Sequence, residues 1–149
     1  MSTPVPAAKD SSAPGPAATQ PAPFNPHHFP GDLIAAQRMV AELFARLHAH
    51  QAALPWSREK HKGWPDETER GRERPGRPAT PGWEPDEAAE YDRLFAALRD
   101  ATAVVQGHPW WERCEQEGVK GAALVAARMA LKHAEGAVPL ARDDVEEAA

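Results

Sequence analysis

Seven histidines and one cysteine are the residues of this 149-residue chain best suited to metal or nucleophilic chemistry. Zinc asks for about four nitrogen or sulfur ligands at tight local spacing. His27 and His28 are adjacent in a proline-rich stretch, and His108 and Cys114 are six apart across a helix start. His48 and His50 are two apart, so on a helix they point in different directions. No metal ligand set is expected. A nucleophilic pair of Cys114 with His108 or His133 would need an electropositive setting that lowers the thiol pKa. Cys114 instead has Glu112, Glu115 and Glu117 close in sequence against Arg113, which would raise it. A small core-facing cysteine is the expectation. Asp143-Asp144 and Glu146-Glu147 are paired carboxylates, read as part of a solvated acidic tail. No Ser/His/Asp signature, phosphate-cradling glycine loop or nucleotide fingerprint is present. The chain reads as non-enzymatic, with no cofactor.

Two groups of residues point to binding instead. Gly107-His108-Pro109-Trp110-Trp111 places two of the five tryptophans side by side between helical patterns. His108, Pro109, Trp110 and Trp111 read either as a partner interface or as a core clamp. Tryptophan anchors interfaces, but a small core also needs it. One of the two is expected to be buried and the other partly exposed, both clamped against the first two helices. The second group is Trp64, Arg70, Arg72, Arg74, Arg77 and Trp83. Aromatics interleaved with arginines can stack on single-stranded bases, so this stretch is the candidate nucleic-acid contact. It is charge-neutral, with seven basic and seven acidic residues between positions 57 and 86.

The elements that must position these residues follow from composition and period. Residues 1–31 hold eight of the sixteen prolines and read as a disordered Pro/Ala-rich tail. Helix one is expected over 32–56, capped by Asp32 and ended by Leu54-Pro55. Leu33, Val40, Leu47 and Leu54 recur every seven residues, the spacing of a coiled-coil seam, with Phe44 widening the stripe. Residues 57–83 read as a flexible charged linker. The stretch 84–136 should contain helix two, the Pro-Trp-Trp turn and helix three. Tyr91, Leu94, Phe95, Leu98, Ala101 and Val105 form the stripe of helix two, and Gly107 its C-terminal cap. Helix three is expected from Val119 to Glu135 on Leu124, Ala127, Leu131 and Ala134, and 137–149 as an acidic tail.

Large apolar residues cluster at 33–56, 91–111 and 119–131. A core of about 75 residues supplies only a few kcal/mol of net stability, which favours an oligomer or a complex. The formal charge of −5 lies wholly from Glu87 onwards, and an acidic C-terminal half disfavours phosphate backbones and anionic membranes. A single cysteine allows no intrachain disulfide. Neither a signal peptide nor a run of roughly 20 apolar residues is seen, so a soluble cytoplasmic protein is expected.

Asp32-Leu33-Ile34 with Gln37, His108-Pro109-Trp110-Trp111, and Arg128 with Leu131-Lys132 resemble short parts of small uncharacterised helical proteins of high-GC actinobacteria. The alanine, proline and arginine usage agrees. The resemblance implies a helical fold and no particular activity. The expected architecture is all-α: a small antiparallel three-helix bundle with a disordered N-terminal tail and a long flexible inter-helix linker. The expected role is a protein-protein interaction or self-association module with an unknown protein partner or a second copy. The alternative is an accessory nucleic-acid-associated protein that contacts through the arginine-containing linker.

Overall fold

Apolar residues at helical spacing put one stripe on a helix, and the first element forms in this way. In the computed structural model, which describes residues 22–139, helix α1 spans Gly31–Ala52 and buries Leu33, Gln37, Leu43 and Leu47. Its start differs from the sequence expectation. Pro30 is the N-cap and no side chain caps the helix. Asp32 lies one residue inside, where its charge still suits the positive end of the dipole. Its carboxylate lies 3.2 Å from His108 Nε2 instead of on the free amides. The helix stops at Ala52, so Leu54 drops out of the seven-residue repeat. Phe44 does not widen the stripe either. It is exposed beside the ring of His48, because only a narrow face of α1 meets the next helix.

Helix α2 spans Pro85–Gln106, with Pro85 in its first turn and Gly107 as C-cap. Leu94 and Val105 are buried as expected, whereas Phe95 is exposed. Leu43 and Leu47 of α1 pack on Leu94, with Tyr91, Ala97, Leu98 and Ala101 around them. His50 Nε2 donates to the Glu87 carbonyl at 2.9 Å, tying the end of α1 to the start of α2. Helix α3, Pro109–Gln116, carries the tryptophans, and α4 covers Ala122–Leu131. The expected third helix is shorter at both ends: Gly121 caps its start, and Leu131 leads into turns closed by His133 and Ala134 amides. A second cluster joins Leu33, Val105, Trp111, Cys114, Ala127 and Leu131, with Leu33 and Leu131 almost fully enclosed. The described residues are thus mostly helical.

Two stretches expected to lack structure have it. Residues 57–83 fold back on themselves as an arm. Strands β1, Glu67–Glu69, and β2, Arg72–Arg74, pair antiparallel around a turn in which Arg70 and Gly71 have φ of 52° and 77°. Such two-residue turns match strand twist, which is why a charged segment without an apolar stripe still pairs. The pairing extends through His61 with Thr80 and Trp64 with Arg77. Period-based reading missed the arm because its order comes from backbone bonds and tryptophans, while its strands are exposed on both faces. Within the segment assigned to the tail, residues 22–31 are also placed, and Phe29 is buried against the second cluster. Residues 1–21 and 140–149, including Asp143-Asp144 and Glu146-Glu147, lie outside the described residues. Ala137, assigned to the acidic tail, is fully buried.

Candidate functional site

His108 caps α3 with its ring. The Trp110 amide donates to His108 Nδ1 at 3.0 Å. With Nδ1 accepting, the proton belongs on Nε2, which faces Asp32 across 3.2 Å. Pro109 then supplies the preset φ of a first helical residue. The motif therefore starts a helix and pins it to the beginning of α1.

The two tryptophans separate as expected, one buried and one half-buried. Trp111 is only 4% exposed, and its Nε1 donates to the Val105 carbonyl at 2.7 Å, just past the last turn of α2 that this carbonyl helps to close. Trp110 donates from Nε1 to the Pro26 carbonyl at 3.2 Å, with Phe24 at 5.2 Å. Phe29 meets Trp111 edge-on at 6.3 Å. The clamp closes partly on the segment before α1, which sequence reasoning had set aside. The signal was there in Phe24 and Phe29, two large aromatics among prolines.

Cys114 lies at the bottom of the same cluster and is fully buried. Burial pushes its thiol up; Arg128 and Arg113 pull it back by less, and Glu115 adds a small push. The direction matches the sequence expectation, but desolvation is the main cause, with one neighbouring acid contributing. Because the folded thiol titrates above the unfolded one, the thiol form is retained in the fold. Stability should be unaffected below the unfolded value of about 8.5 and decline as pH rises through the raised folded value. Alkylation by iodoacetamide at pH 8 should be slow in native protein and rapid in denaturant; equal rates would place Cys114 at the surface. Among the described residues no three His, Cys, Asp or Glu side chains stand close enough together to hold a metal ion.

The candidate nucleic-acid residues are spread along the arm, from its base at Trp83 to its turn at Arg70. Trp64 is about half exposed and clusters with Trp56 and His61 at ring separations of 5.0 to 5.6 Å. Arg77 lies over Trp56 at 5.7 Å. Arg74 stands opposite Glu67 and Arg72 opposite Glu69, while Arg70 sits in the turn. Trp83 is at the base of the arm, donating to the Pro55 carbonyl at 2.8 Å and packed on Tyr91. Arg58, which was not singled out from sequence, grips Asp92 of α2 through two hydrogen bonds of 2.8 and 2.7 Å and fixes the arm there. Hydrogen bonding to Arg58 holds Asp92 below the usual carboxylate range.

A groove of about 390 Å³ runs between α1, α2 and α4. Val40, Val105, Trp111, Val125 and Met129 give it an apolar lining, and Arg128 and Lys132 stand beside them. Val125 and Met129 are 59% and 57% exposed, one turn apart on α4. Sequence reasoning passed over this pair because the helix stripe of Leu124, Ala127 and Leu131 already accounted for a core face. The available signal was a second apolar pair at i, i+4 off that stripe.

No helix among the described residues is long and apolar enough to cross a membrane. No curated protein and no solved structure matches the chain. A match to a family does exist, over residues 32–134, from the first turn of α1 through the arm to just beyond α4. Since that is well over half of its length, the chain belongs to the domain-of-unknown-function family DUF8825.

Proposed function

We propose that the chain is a non-enzymatic helical module that works by binding another protein or a second copy of itself. The observation that carries this reading is apolar surface left in water where it is not scattered. Val125 and Met129, one turn apart on α4, are each more than half exposed and border the groove between α1, α2 and α4. Single exposed apolar residues are ordinary, but a contiguous patch beside a cleft is the usual mark of an interaction site. In this reading α1 and α2 run antiparallel. It is supported by the His50–Glu87 hydrogen bond at one end and by Leu33 and Val105 sharing one buried cluster at the other. The bundle stands as a rigid face, placed in the cytoplasm, where a lone cysteine stays reduced. The actinobacterial resemblance belongs to the same reading through alanine, proline and arginine usage.

Trp111 then forms part of the groove itself, while Trp110 braces the segment before α1. The nucleic-acid alternative has less to rest on, because Glu67 and Glu69 face arginines across the arm and Trp83 is spent on packing. Light scattering on untagged protein after size exclusion, read at 260 and 280 nm, tests the choice. The expected result is a mass above the monomer, or a cross-linked partner from host lysate, lost in Val125→Glu with Met129→Glu. A monomer that cross-links to nothing overturns the reading. A nuclease-sensitive peak rich in 260 nm absorbance would favour the alternative.

A further inference from the structure

The groove has a sign as well as an apolar floor. We infer that the α1–α2–α4 groove takes a short amphipathic helix whose flanks are acidic, supplied by a partner protein. This rests on the interaction reading above and names the class of partner.

Charge is the first argument. The groove lining contains Arg128 and Lys132 and no carboxylate; its other polar residues are Gln37, Thr102, Gln106. That is a local inversion in a chain of net charge −5 whose excess acid lies in this same C-terminal half. Among the described residues, none of the ion pairs involves either cation. Arg128 lies over the Trp111 ring at 4.5 Å, so its guanidinium is held at the groove edge before any partner arrives. A prepositioned arginine loses little rotamer freedom on pairing, and its planar fork suits a carboxylate.

Backbone chemistry is the second argument. The lining comes from all four helices, whose mid-helix amides and carbonyls are already bonded internally. An extended peptide laid here would find no ladder for its own backbone groups. A helix satisfies them itself and needs only side-chain pockets. Val125 and Met129 are one turn apart, which matches the i, i+4 spacing of apolar side chains on an incoming helix. At about 390 Å³ the groove holds a few such side chains.

The test uses the full chain and a fluorescein-labelled synthetic helix of about four turns, with leucines on one face and glutamates elsewhere. The comparison peptide has lysines in place of the glutamates. By fluorescence polarisation the acidic peptide should bind saturably and about tenfold more tightly than the basic one, with the difference shrinking at high salt. Lys132→Glu, at an exposed position, should narrow that preference, and Arg128→Glu with Lys132→Glu should reverse it. Arg128 also supports Trp111, so far-ultraviolet circular dichroism must show the double variant folded. If it is not, the single Lys132→Glu variant decides. Equal affinity for the two peptides, no saturable binding, or a preference that Lys132→Glu leaves unchanged would overturn the assignment. An assembly that forms by light scattering without any peptide preference would do so while leaving the interaction reading intact.

Discussion

Trp111→Ala should remove roughly 3–5 kcal/mol of stability, the range for truncating a buried large aromatic. Three contributions are lost together. The indole fills the middle of the second cluster between Leu33, Val105, Cys114 and Leu131. Its Nε1 bonds the Val105 carbonyl at 2.7 Å, and without it that acceptor would be left with the longer 3.3 Å bond from the His108 amide. Its face also carries Arg128, whose charge would lose its seat. A domain this small has only a few kcal/mol in reserve, so the variant should be largely unfolded at room temperature. Urea titration followed at 222 nm measures it. Trp110→Ala is the control: it is half-buried and braced by Phe24 and Pro26, and should cost about 1–2 kcal/mol. If Trp111→Ala melts like the parent, the pair is not the core clamp described here.

Gly63→Ala should undo the arm without melting the helices. Gly63 has φ of +76°, where a side chain costs about 1–2 kcal/mol by itself. The larger penalty is steric. A Cβ there would overlap the Arg77 carbonyl oxygen and sit 2.7 Å from the Pro78 carbonyl carbon. Both are backbone atoms of the opposite limb, so no rotamer change relieves the overlap. The Trp64–Arg77 pairing, with N···O distances of 2.9 Å in both directions, would have to open. Trp56 would then lose the Pro78 carbonyl that its Nε1 bonds at 2.7 Å. The expected signature is loss of near-ultraviolet tryptophan signal and faster proteolysis within 57–83, with helicity at 222 nm retained. Gly71→Ala, with nothing within 4 Å of the new Cβ, should show a much smaller effect. Identical near-ultraviolet spectra and cleavage rates for parent and Gly63→Ala would restore the flexible linker read from sequence.

The helices were legible because they follow rules of short range. Leu33, Leu43 and Leu47 declare α1, Leu94 and Val105 declare α2, and Gly107-His108-Pro109 stops one helix and starts the next within three residues. The cap at His108 is equally local: the acceptor and the amide it serves are two residues apart. Position alone misled at Phe44 and Phe95. Both lie beside a true stripe, and only the width of the α1–α2 contact decides that they stay in water.

The arm and the aromatic brace before α1 were not legible as structure. Arg58 finds Asp92 across 34 residues, Trp83 finds Pro55 across 28, and Trp110 finds Pro26 across 84. None of these separations leaves a period, and proline-rich or charge-mixed composition argues for the opposite. Yet one end of each such contact was visible as a large aromatic or an arginine without a local task. The sequence by itself determined where the helices run to within about a turn, and that Cys114 and one of the two tryptophans go inside. Only the tertiary structure decided what those side chains close upon, and that Val125, Met129, Arg128 and Lys132 share one groove. Local propensity acts through neighbours within a turn, whereas a groove exists only after distant segments have packed.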